Sequence, residues 1–578
     1  MLALDSHKLS RRRLLQWAVG SALGASSRFA ALGSLGAIGM ASAQAATTTG
    51  GYKALVCIYL GGGNDAFNML VPTDATTYGL YQTARPTVAI PRASLLSITP
   101  KTSDGHTYGL HPSMPELQAL FAAGKLACVA NVGSLLGPTV LSDYQNNTSI
   151  LPPQLFSHED QTFQWMTGRP ESSETVGWAG HLAEIMQPAG NQGLPINLSV
   201  NGNNQFQTGS DSAPYSVDPS GVAAIYALGS DQPTGRVAAF QALIAEAQGS
   251  SNLLQSAYGG AVSNTLTLSQ QMSNALAQAP TLHTQFPQTD LGGQLAMVAK
   301  LISVHSQLGA ARQVYFVSTG GFDTHDGQPD AQPGLFQQIS QAMSAFYQAT
   351  VELNVASSVT SFTMSEFGRT LSSNSAGTDH GWGSHHFVMG GAVQGGDIYG
   401  TMPNLTLGGP DDADLGRMIP STSLYQYYAP LARWLGASDA DISNIFPYLA
   451  RFDAGALNFL PGALPSFTMR RSTSGGAIVY DGVIAPNPAD IGLAVKVYVA
   501  AIVGTTLYLK SPAGWTPYTG GTVPVAAAMT ASSSMRVNVA SLSSVDNAAL
   551  SGVQIWLGYG TTEADMLSGK YSLIGTVQ

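Results

Sequence analysis

The sequence contains little charge for its length. Only 10% of its 578 residues are charged, and the formal net charge at pH 7 is -10. The sequence therefore disfavours nucleic-acid binding, because phosphate backbones attract positive protein surfaces. A weakly charged surface rich in Gly, Ser, Thr, Asn and Gln is more typical of exported proteins than of cytosolic enzymes.

Cysteine is nearly absent as well. Cys57 and Cys128 are the only two, and each lies within an apolar run, ALVCIYL and LACVANV. These surroundings predict two buried free thiols. A single disulfide between neighbouring strands is the alternative.

The N-terminal region lacks an uninterrupted membrane span. Residues 10–16, SRRRLLQ, have the form of a twin-arginine export signal, and the small residues at 41–43 and 43–45 offer cleavage sites. Arg28 interrupts the apolar stretch between them, so neither side approaches the roughly 20 residues that a span needs. We predict that residues 1–45 are removed on export, which leaves a periplasmic or extracellular protein without a stable membrane span. A retained N-terminal anchor is the alternative.

After the signal, apolar strands alternate with helices. Residues 54–60 are apolar throughout and are followed by three glycines, which is typical of a strand buried on both faces. A capping pattern at 113–116 begins a helix, and a second apolar strand follows at 126–132. This rhythm predicts an α/β domain over residues 50–460, with a mostly parallel sheet sandwiched by helices. Further strands are predicted at 314–317, 359–364 and 386–390, and further helices at 290–308, 335–353 and 424–435.

Two segments depart from this rhythm. Residues 200–285 are rich in Ala, Gln, Ser and Asn with apolar residues at helical spacing, which predicts a helical insertion or cap. Over residues 462–578, short β-rich runs alternate with Gly, Ser, Pro and Asn turns, which predicts a small β-sandwich-like accessory domain. Either this domain binds a surface polymer or a protein partner, or it only covers an edge of the main domain.

Acidic and imidazole side chains gather at the ends of the predicted strands. In open α/β sheets, ligands bind at the carboxyl ends of the strands, where the loops converge. Three strand ends and the approach to a fourth strand carry candidate metal ligands, which are Asp65, Asp323, His325, Glu366, Asp379, His380 and His385.

Crowded carboxylates and imidazoles are the pattern of a metal site. Carboxylates repel one another unless a cation neutralises them, and neutral imidazoles complete a zinc-like set of ligands. Asp323 and His325 are two residues apart, so in an extended segment both point to the same side. We predict a divalent metal, zinc first, with calcium or manganese as alternatives. Each group also has a structural alternative: Asp65 in an Asx turn, Glu366 paired with Arg369, and Asp379–His380 in a loop hydrogen bond.

Ser157 is the candidate nucleophile. It precedes a predicted helix, QTFQWMTG, where its hydroxyl lies at the positive end of the helix dipole. A nearby metal lowers the pKa of such a hydroxyl and activates it for attack. The alternative is simple capping, with Asp160 as the partner of Ser157. Arg369 is a candidate to hold an oxyanion.

Six segments together closely resemble one bacterial family. The export signal and the segments LGGGNDAFN, HPSMPEL, SHEDQTFQWMTG, STGGFDTHDGQ, SEFGRT and DHGWGSHHFVMGGAVQGG resemble the exported family known as domain of unknown function fifteen-oh-one. The resemblance covers roughly residues 10–450. That family is similar to the alkaline phosphatase and sulfatase superfamily, whose members share a parallel-sheet α/β sandwich and bind one or two divalent metals.

The resemblance implies roles for the candidate residues. Asp65 resembles the metal ligand of the first strand, Ser157 the nucleophile, and Asp323 with His325 a pair that serves one metal. Asp379–His380 or His385 resembles the final histidine region of the superfamily. Two features depart from its pattern: the Asp-x-His pair is more closely spaced than usual, and Glu366 stands where an Asp followed by His is expected. Both departures imply an altered metal set and weakened or lost hydrolysis.

Two functions are consistent with the sequence. The first is an exported metal-dependent hydrolase of phosphate or sulfate esters, on small molecules or polymers. The second is a noncatalytic cell-envelope or matrix protein, in which the same residues hold a structural cation and the accessory domain attaches to an envelope polymer or a protein.

Overall fold

A computed structural model of the protein describes most of the chain after residue 50. The described residues are 51–146, 151–191, 194–222, 234–452, 457–461, 466–474, 477–486, 490–504, 506–532, 535–567 and 570–577. The predicted signal peptide lies outside them, and its cleavage stays a prediction. None of the described helices combines the length and the apolar composition that crossing a membrane requires.

The strands fall into an N-terminal and a C-terminal series. The first comprises β1 Lys53–Leu60, β2 Leu70–Pro72, β3 Leu96–Ile98, β4 Tyr108–Leu110, β5 Leu126–Gly133, β6 Asn197–Ser199, β7 Tyr215–Ser216, β8 Arg312–Thr319, β9 Val359–Met364, β10 Arg369–Ser373, β11 Thr378–His380, β12 Ser384–Gly390, β13 Ile398–Tyr399 and β14 Thr422–Ser423. The second comprises β15 Ser466–Ser474, β16 Ala477–Ala485, β17 Ala494–Val503, β18 Thr506–Ser511, β19 Gly514–Pro517, β20 Ala527–Thr530, β21 Met535–Leu542, β22 Gln554–Gly560 and β23 Tyr571–Thr576.

The helices lie mainly among the first series of strands. They are α1 Ala66–Met69, α2 Ala75–Ala84, α3 Pro115–Ala122, α4 Leu141–Gln145, α5 His158–Thr167, α6 Trp178–Gly190, α7 Thr234–Gln248, α8 Leu253–Ala277, α9 Asp290–Ser303, α10 Gln328–Glu352, α11 Leu424–Leu435, α12 Asp439–Ile445, α13 Ser544–Ala549 and α14 Glu563–Leu567. Helices α7 and α8 fall within the segment predicted to be helical, residues 200–285. The described part of that segment also contains the short strand β7.

The central sheet is mostly parallel, which confirms the predicted fold class at this level. Its strands are hydrogen-bonded in the order β13-β5-β12-β9-β1-β8-β6-β7, and β14 also pairs with β5. Strand β1 runs parallel to both β8 and β9. Strand β12 departs from this direction and runs antiparallel to β5 and β9.

Apolar residues on both faces of the sheet explain the layered arrangement. In β1, Val56 and Ile58 pack into one core, whereas Leu55 and Cys57 pack into another, because successive strand residues point to opposite faces. Helices α3, α9 and α10 cover the first face, and α5, α6, α11 and α12 cover the second. Cys57 and Cys128 are buried free thiols, as predicted.

The C-terminal strands form a separate antiparallel region. One sheet has the order β15-β16-β21, and the other has the order β19-β18-β17-β22-β23 with β20 paired to β17. Residues of both sheets, including Tyr480 and Val497, share one apolar core. The predicted β-rich character is confirmed, whereas the division into domains and the role of this region stay predictions.

The topology brings the polar loops to one edge of the central sheet. Leu60 pairs with Thr319, and Tyr59 pairs with Met364, so β1, β8 and β9 end at the same level. Because β12 is antiparallel to β9, its first residues lie at this edge too. Loops that follow three strands and precede a fourth therefore meet there.

Candidate metal centre

Three imidazoles surround one carboxylate at this edge of the sheet. Asp323 and His325 follow β8, His380 ends β11, and His158 begins α5. The side chains of His158, Asp323 and His325 are 38%, 44% and 45% exposed. The cluster, which we call the open centre, is therefore accessible to solvent.

The Nε2 atoms of the three rings face the Asp323 carboxylate. His158 Nε2 lies 3.4 Å from Oδ2, and His325 Nε2 and His380 Nε2 lie 3.0 and 3.3 Å from Oδ1. The Nε2 atoms of His325 and His380 are 3.0 Å apart. One ligand atom from each of His158, Asp323 and His380 falls within a mutual distance of 4.8 Å, so these three residues could hold a metal ion together.

Each Nδ1 atom faces an oxygen acceptor behind the ring. Nδ1 of His158 lies 2.9 Å from Glu366 Oε1, and Nδ1 of His325 lies 3.0 Å from Asp379 Oδ1. The third partner is a backbone carbonyl, 2.8 Å from Nδ1 of His380. An Nδ1–H that donates to oxygen leaves Nε2 with a free lone pair, which is how metal-bound histidines are oriented.

This arrangement fits a divalent cation. If Nδ1–H donates to the oxygen behind each ring, the Nε2 atoms of His325 and His380, which are 3.0 Å apart, point lone pairs at each other and at the Asp323 carboxylate. Such an arrangement is unfavourable unless a positive charge lies between these groups. Burial, above all, lowers the pKa of His380, which favours its neutral, metal-binding form. Imidazoles with one carboxylate form a set that suits zinc better than calcium.

Arg369 fixes the carboxylate of the centre. Its guanidinium is fully buried and donates to Asp323 Oδ1 at 2.6 Å and to the Gly62 carbonyl at 3.2 Å. Burial of Asp323 opposes ionisation, but the hydrogen bond and the charge of Arg369 outweigh it and lower the pKa of this carboxyl. Arg369 therefore keeps Asp323 ionised beside the imidazoles.

The glycines after β1 permit the close approach of these loops. Gly62 has a φ of +117°, and a Cβ at this position would lie 2.4 Å from the backbone nitrogen of Asp323. Its own N–H donates to Glu366 Oε1 at 2.8 Å. Any larger residue would push the Asp323 loop away from Glu366.

Glu366 and Asp379, two predicted metal ligands, lie behind the rings. Glu366 is 3% exposed, and its Oε2 accepts from the Tyr59 hydroxyl at 3.0 Å. With Oε1 bound to His158, the carboxylate orients an imidazole. Asp379 is half-exposed, and its Oδ1 lies 3.0 Å from Nδ1 of His325, so it orients that ring in the same way. Both therefore occupy the place of outer partners of metal-binding histidines.

Ser157 lies between two residues that contact the centre. The Phe156 carbonyl bonds the His380 ring, and His158 contributes a ring of its own. Phe156 has a φ of +70°, a strained conformation for a residue with a side chain. The Ser157 hydroxyl donates to Asp160 Oδ2 at 2.6 Å and caps α5.

Asp65 lies outside the open centre. It is 2% exposed, and its two oxygens accept from Arg85 NH1 and NH2 at 2.9 and 2.6 Å. Gln328 Nε2 donates to the same carboxylate at 2.5 Å. The described contacts of Asp65 include none with the four residues of the open centre. The guanidinium of Arg85 therefore supplies the positive charge that the sequence assigned to a metal.

The described contacts of His385 include none with the open centre. It is 1% exposed, and its Nδ1 accepts from the Asn131 N–H at 3.0 Å. Its Nε2 has no hydrogen-bond partner among the described residues. Burial lowers the pKa of His385 to about 4. The ring is a neutral part of the core.

Two residues of this edge were missed by the sequence analysis. His158 follows Ser157 within the segment SHEDQTFQWMTG, where the search for a nucleophile passed over the imidazole beside it. Arg85 lies 20 positions from Asp65 in a segment without a recognised pattern. An imidazole at the start of a helix was a usable signal, whereas the partner of Asp65 was not detectable without the fold.

Comparison with known proteins gives distant structural matches. A crystal structure of Ps i-CgsB in complex with k-i-k-neocarrahexaose shares 10% identity, covering 75% of this chain and 84% of that chain, with a TM-score of 0.31. A crystal structure of PsFucS1 sulfatase from Pseudoalteromonas sp. shares 9% identity, covering 84% and 86%, with a TM-score of 0.27.

Sequence comparison gives the family. No curated protein matches the chain. The family described as "Protein of unknown function (DUF1501)" matches residues 52–412, a range that contains every residue of the open centre as well as Asp65 and Arg85. The protein is therefore a member of the DUF1501 family.

Proposed function

We propose that the protein is an exported, metal-dependent hydrolase of phosphate or sulfate monoesters with an alkaline phosphatase-like α/β domain. One observation carries the proposal: the Nε2 atoms of three imidazoles and the Asp323 carboxylate converge on a common, solvent-accessible point. A purely structural cation needs no opening to solvent, whereas a substrate does. The exposure of the open centre therefore favours chemistry over scaffolding.

The residues of the centre have distinct roles in this proposal. His158, Asp323 and His380 hold the metal, which we take to be zinc, with calcium or manganese as alternatives. His325 faces the same carboxylate and is the fourth candidate ligand. When bound, a divalent metal supplies a Lewis acid that polarises the ester and offsets developing negative charge. Arg369 holds Asp323 in place and adds positive charge for an anionic substrate.

Ser157 is the proposed nucleophile. Its Oγ forms a bond to the phosphorus or sulfur atom while its proton passes to the Asp160 carboxylate. The bond from that atom to the ester oxygen breaks, and the leaving oxygen takes a proton from water and departs as the alcohol. Water then hydrolyses the serine ester, which releases phosphate or sulfate and regenerates the hydroxyl. The hydrogen bond from Ser157 to Asp160 supports this direction of proton transfer.

A noncatalytic cell-envelope or matrix protein is the second candidate. It is favoured by the Ser157 hydroxyl, which is already engaged in capping α5. In this alternative, the open centre binds a structural cation, and the C-terminal β region attaches to an envelope polymer or a protein.

Metal removal and reconstitution separate the two candidates. The folded protein is stripped with a chelator, reloaded with zinc, and assayed on p-nitrophenyl phosphate and p-nitrophenyl sulfate, beside Ser157→Ala and His380→Ala. The hydrolase proposal predicts zinc-dependent turnover that both substitutions abolish. Bound zinc without turnover on either ester supports the noncatalytic candidate. Turnover that survives Ser157→Ala removes the serine from the mechanism and leaves water as the nucleophile.

A further inference from the structure

Gln328 is a buried amide between the open centre and Asp65. It ends the segment STGGFDTHDGQ and is 0% exposed. Its Nε2 donates to Asp65 Oδ2 at 2.5 Å, and its Oε1 accepts from the hydroxyls of Thr378 at 2.7 Å and Thr324 at 3.1 Å. The carboxylate accepts only, so the amide has one orientation that satisfies all three partners.

The two threonines belong to the segments that carry the metal-binding candidates. Thr324 lies between Asp323 and His325, and Thr378 lies two residues before His380. The segments also contact directly, because the Thr378 N–H donates to the Thr324 carbonyl at 3.0 Å. Gln328 therefore joins both segments through side chains at the point where their backbones meet.

The contact between these segments leaves no room for adjustment. A Cβ on Gly377 would lie 2.2 Å from the Thr324 carbonyl oxygen. The Gln328 N–H donates to the Ala376 carbonyl at 3.0 Å. A shift of the amide would therefore displace both segments rather than be absorbed by one of them.

Thr378 also extends this network to Arg369. Arg369 Nε donates to Thr378 Oγ1 at 3.4 Å, and Arg369 NH2 donates to the Thr378 carbonyl. The same guanidinium binds Asp323. The hydrogen bonds thus run without a break from Gln328 through Thr378 and Arg369 to the carboxylate of the open centre.

At its other end, the network rests on the pair of Asp65 and Arg85. Both side chains are almost completely shielded from solvent, and Arg85 binds both oxygens of Asp65. A two-point bond between a planar guanidinium and a carboxylate fixes the orientation of both groups. Asp65 can therefore act as a rigid anchor for the Gln328 amide.

We propose that Gln328 is a positioning residue of the open centre. Its side chain connects the two segments that hold Asp323, His325 and His380 to the rigid Asp65–Arg85 pair and so fixes their position. The proposal rests on the proposed metal centre. It assigns Gln328 an effect on metal affinity without any contact with the metal.

Gln332 provides a matched control on the same helix. It is one turn from Gln328, is 4% exposed, and also contacts Asp65, with Nε2 3.4 Å from both the carbonyl and Oδ2. Its Oε1 accepts from Asn68 Nδ2 at 2.7 Å and from Gln328 Nε2 at 3.4 Å. The described contacts of Gln332 include none with Thr324 or Thr378. Gln332→Leu therefore measures the loss of a buried amide that contacts Asp65 but does not reach the two metal-binding segments.

The test is a zinc titration of the full chain, with a chromophoric chelator as competitor, on wild type, Gln328→Leu and Gln332→Leu. Gln328→Leu should raise the zinc dissociation constant by about tenfold, the lower end of the range for outer partners of metal ligands. Gln332→Leu should lower the free energy of unfolding in urea about as much as Gln328→Leu does and should change zinc affinity far less, because its contacts with Asp65 and Gln328 are long. Equal zinc affinities for the two variants would overturn the proposal.

Thr378→Val keeps the proposal testable if Gln328→Leu does not fold. It removes the hydroxyl that joins Gln328 to Arg369, and it should weaken zinc binding in the same direction. In the double variant, the two losses should be less than multiplicative, because both substitutions break one network. Independent, multiplicative effects would contradict the network.

Zinc titration needs no turnover, so the outcomes separate this inference from the proposed hydrolase. If wild type binds zinc but hydrolyses neither ester, the hydrolase fails and the titration still decides the role of Gln328. If wild type binds no zinc, both proposals fail.

Discussion

The open centre and the Asp65–Arg85 pair lie at the same edge of the sheet, yet they neutralise carboxylates in opposite ways. At Asp65, the protein supplies its own cation, and both side chains are buried, with 0% and 1% exposure. At the open centre, Asp323 pairs with Arg369 and also faces the Nε2 atoms of three imidazoles. The Asp65–Arg85 pair shows that an acidic residue after a strand can be neutralised by a side chain of the protein itself.

The two sites differ in the side chains that face the carboxylate. Arg85 occupies both oxygens of Asp65 and closes the site, whereas the imidazoles backed by Glu366 and Asp379 face a solvent-accessible point. Breaking a closed ion pair leaves a buried charge and lowers stability, whereas the open centre is the proposed binding site. Substitutions should therefore affect stability at one site and binding at the other.

The largest expected effect is on stability, at the closed pair. Arg85→Ala leaves the buried Asp65 carboxylate without its cation, which costs about 3–5 kcal/mol. Arg536 pairs with Asp481 in the C-terminal region, and its side chain is 49% exposed. Arg536→Ala should cost at most about 1 kcal/mol. Urea unfolding of both variants measures the difference, and equal losses would refute the distinction between a closed and an exposed pair.

The next effect is on binding, at the open centre. His380→Ala removes one inward nitrogen and should weaken zinc binding by at least about 100-fold, beyond the range for outer partners. Its unfolding free energy without metal should change far less than that of Arg85→Ala. Mass spectrometry of bound metal and urea unfolding of the apoprotein give the two values. Undiminished zinc content in His380→Ala would contradict the assignment.

The buried His385 adds a third prediction, which concerns how the free energy of unfolding depends on pH. Burial lowers the pKa of His385 to about 4, against about 6.5 in the unfolded chain. Between these values the unfolded chain binds more protons, so this contribution to stability is complete above about pH 6.5 and is lost as the pH falls.

A variant isolates this contribution. His385→Asn keeps an acceptor for the Asn131 N–H and removes the titrating ring. Between about pH 6.5 and pH 5, the wild type should lose about 2 kcal/mol more than the variant in urea unfolding. Parallel pH profiles would show that His385 does not stay neutral in the folded protein.

The smallest expected effect comes from the outer partners. Glu366→Gln keeps an oxygen acceptor for the His158 ring but removes the negative charge behind it. Zinc binding should weaken by about tenfold, because the charge makes the imidazole a stronger ligand. The same zinc competition titration measures this change. An affinity equal to that of wild type would mean that Glu366 serves only the hydrogen bonds with Gly62 and Tyr59.

The sequence predicted the positions of the strands better than it predicted which strands pair and in which direction. The apolar runs of β1, β8 and β9 and the glycines after β1 are local signals, and they place Asp323, His325 and Glu366 at strand ends. The antiparallel direction of β12 depends on pairing between distant segments, so the sequence indicated an approach to a strand without showing that it reaches the same edge.

The sequence grouped candidate residues where they are neighbours in the chain and missed partners that are distant in it. Asp323 with His325 and Asp379 with His380 were chosen as candidates because each pair shares a short segment. A local pattern does not distinguish Asp379, which lies behind the His325 ring, from His380, which faces the centre, because a rotation of one side chain decides the role. Arg85 reaches Asp65 only after α2 has folded back, so no local pattern could reveal that the carboxylate is already neutralised.

The position of a bound metal tests the central distinction most directly. Crystals of the zinc-loaded protein measured at the zinc absorption edge should show one anomalous peak, about 2.0–2.2 Å from Nε2 of His158 and His380 and from an Asp323 oxygen. The Asp65 carboxylate should remain bound to Arg85 without a peak. A peak at Asp65 with Arg85 displaced, or no peak at the three imidazoles, would contradict this account.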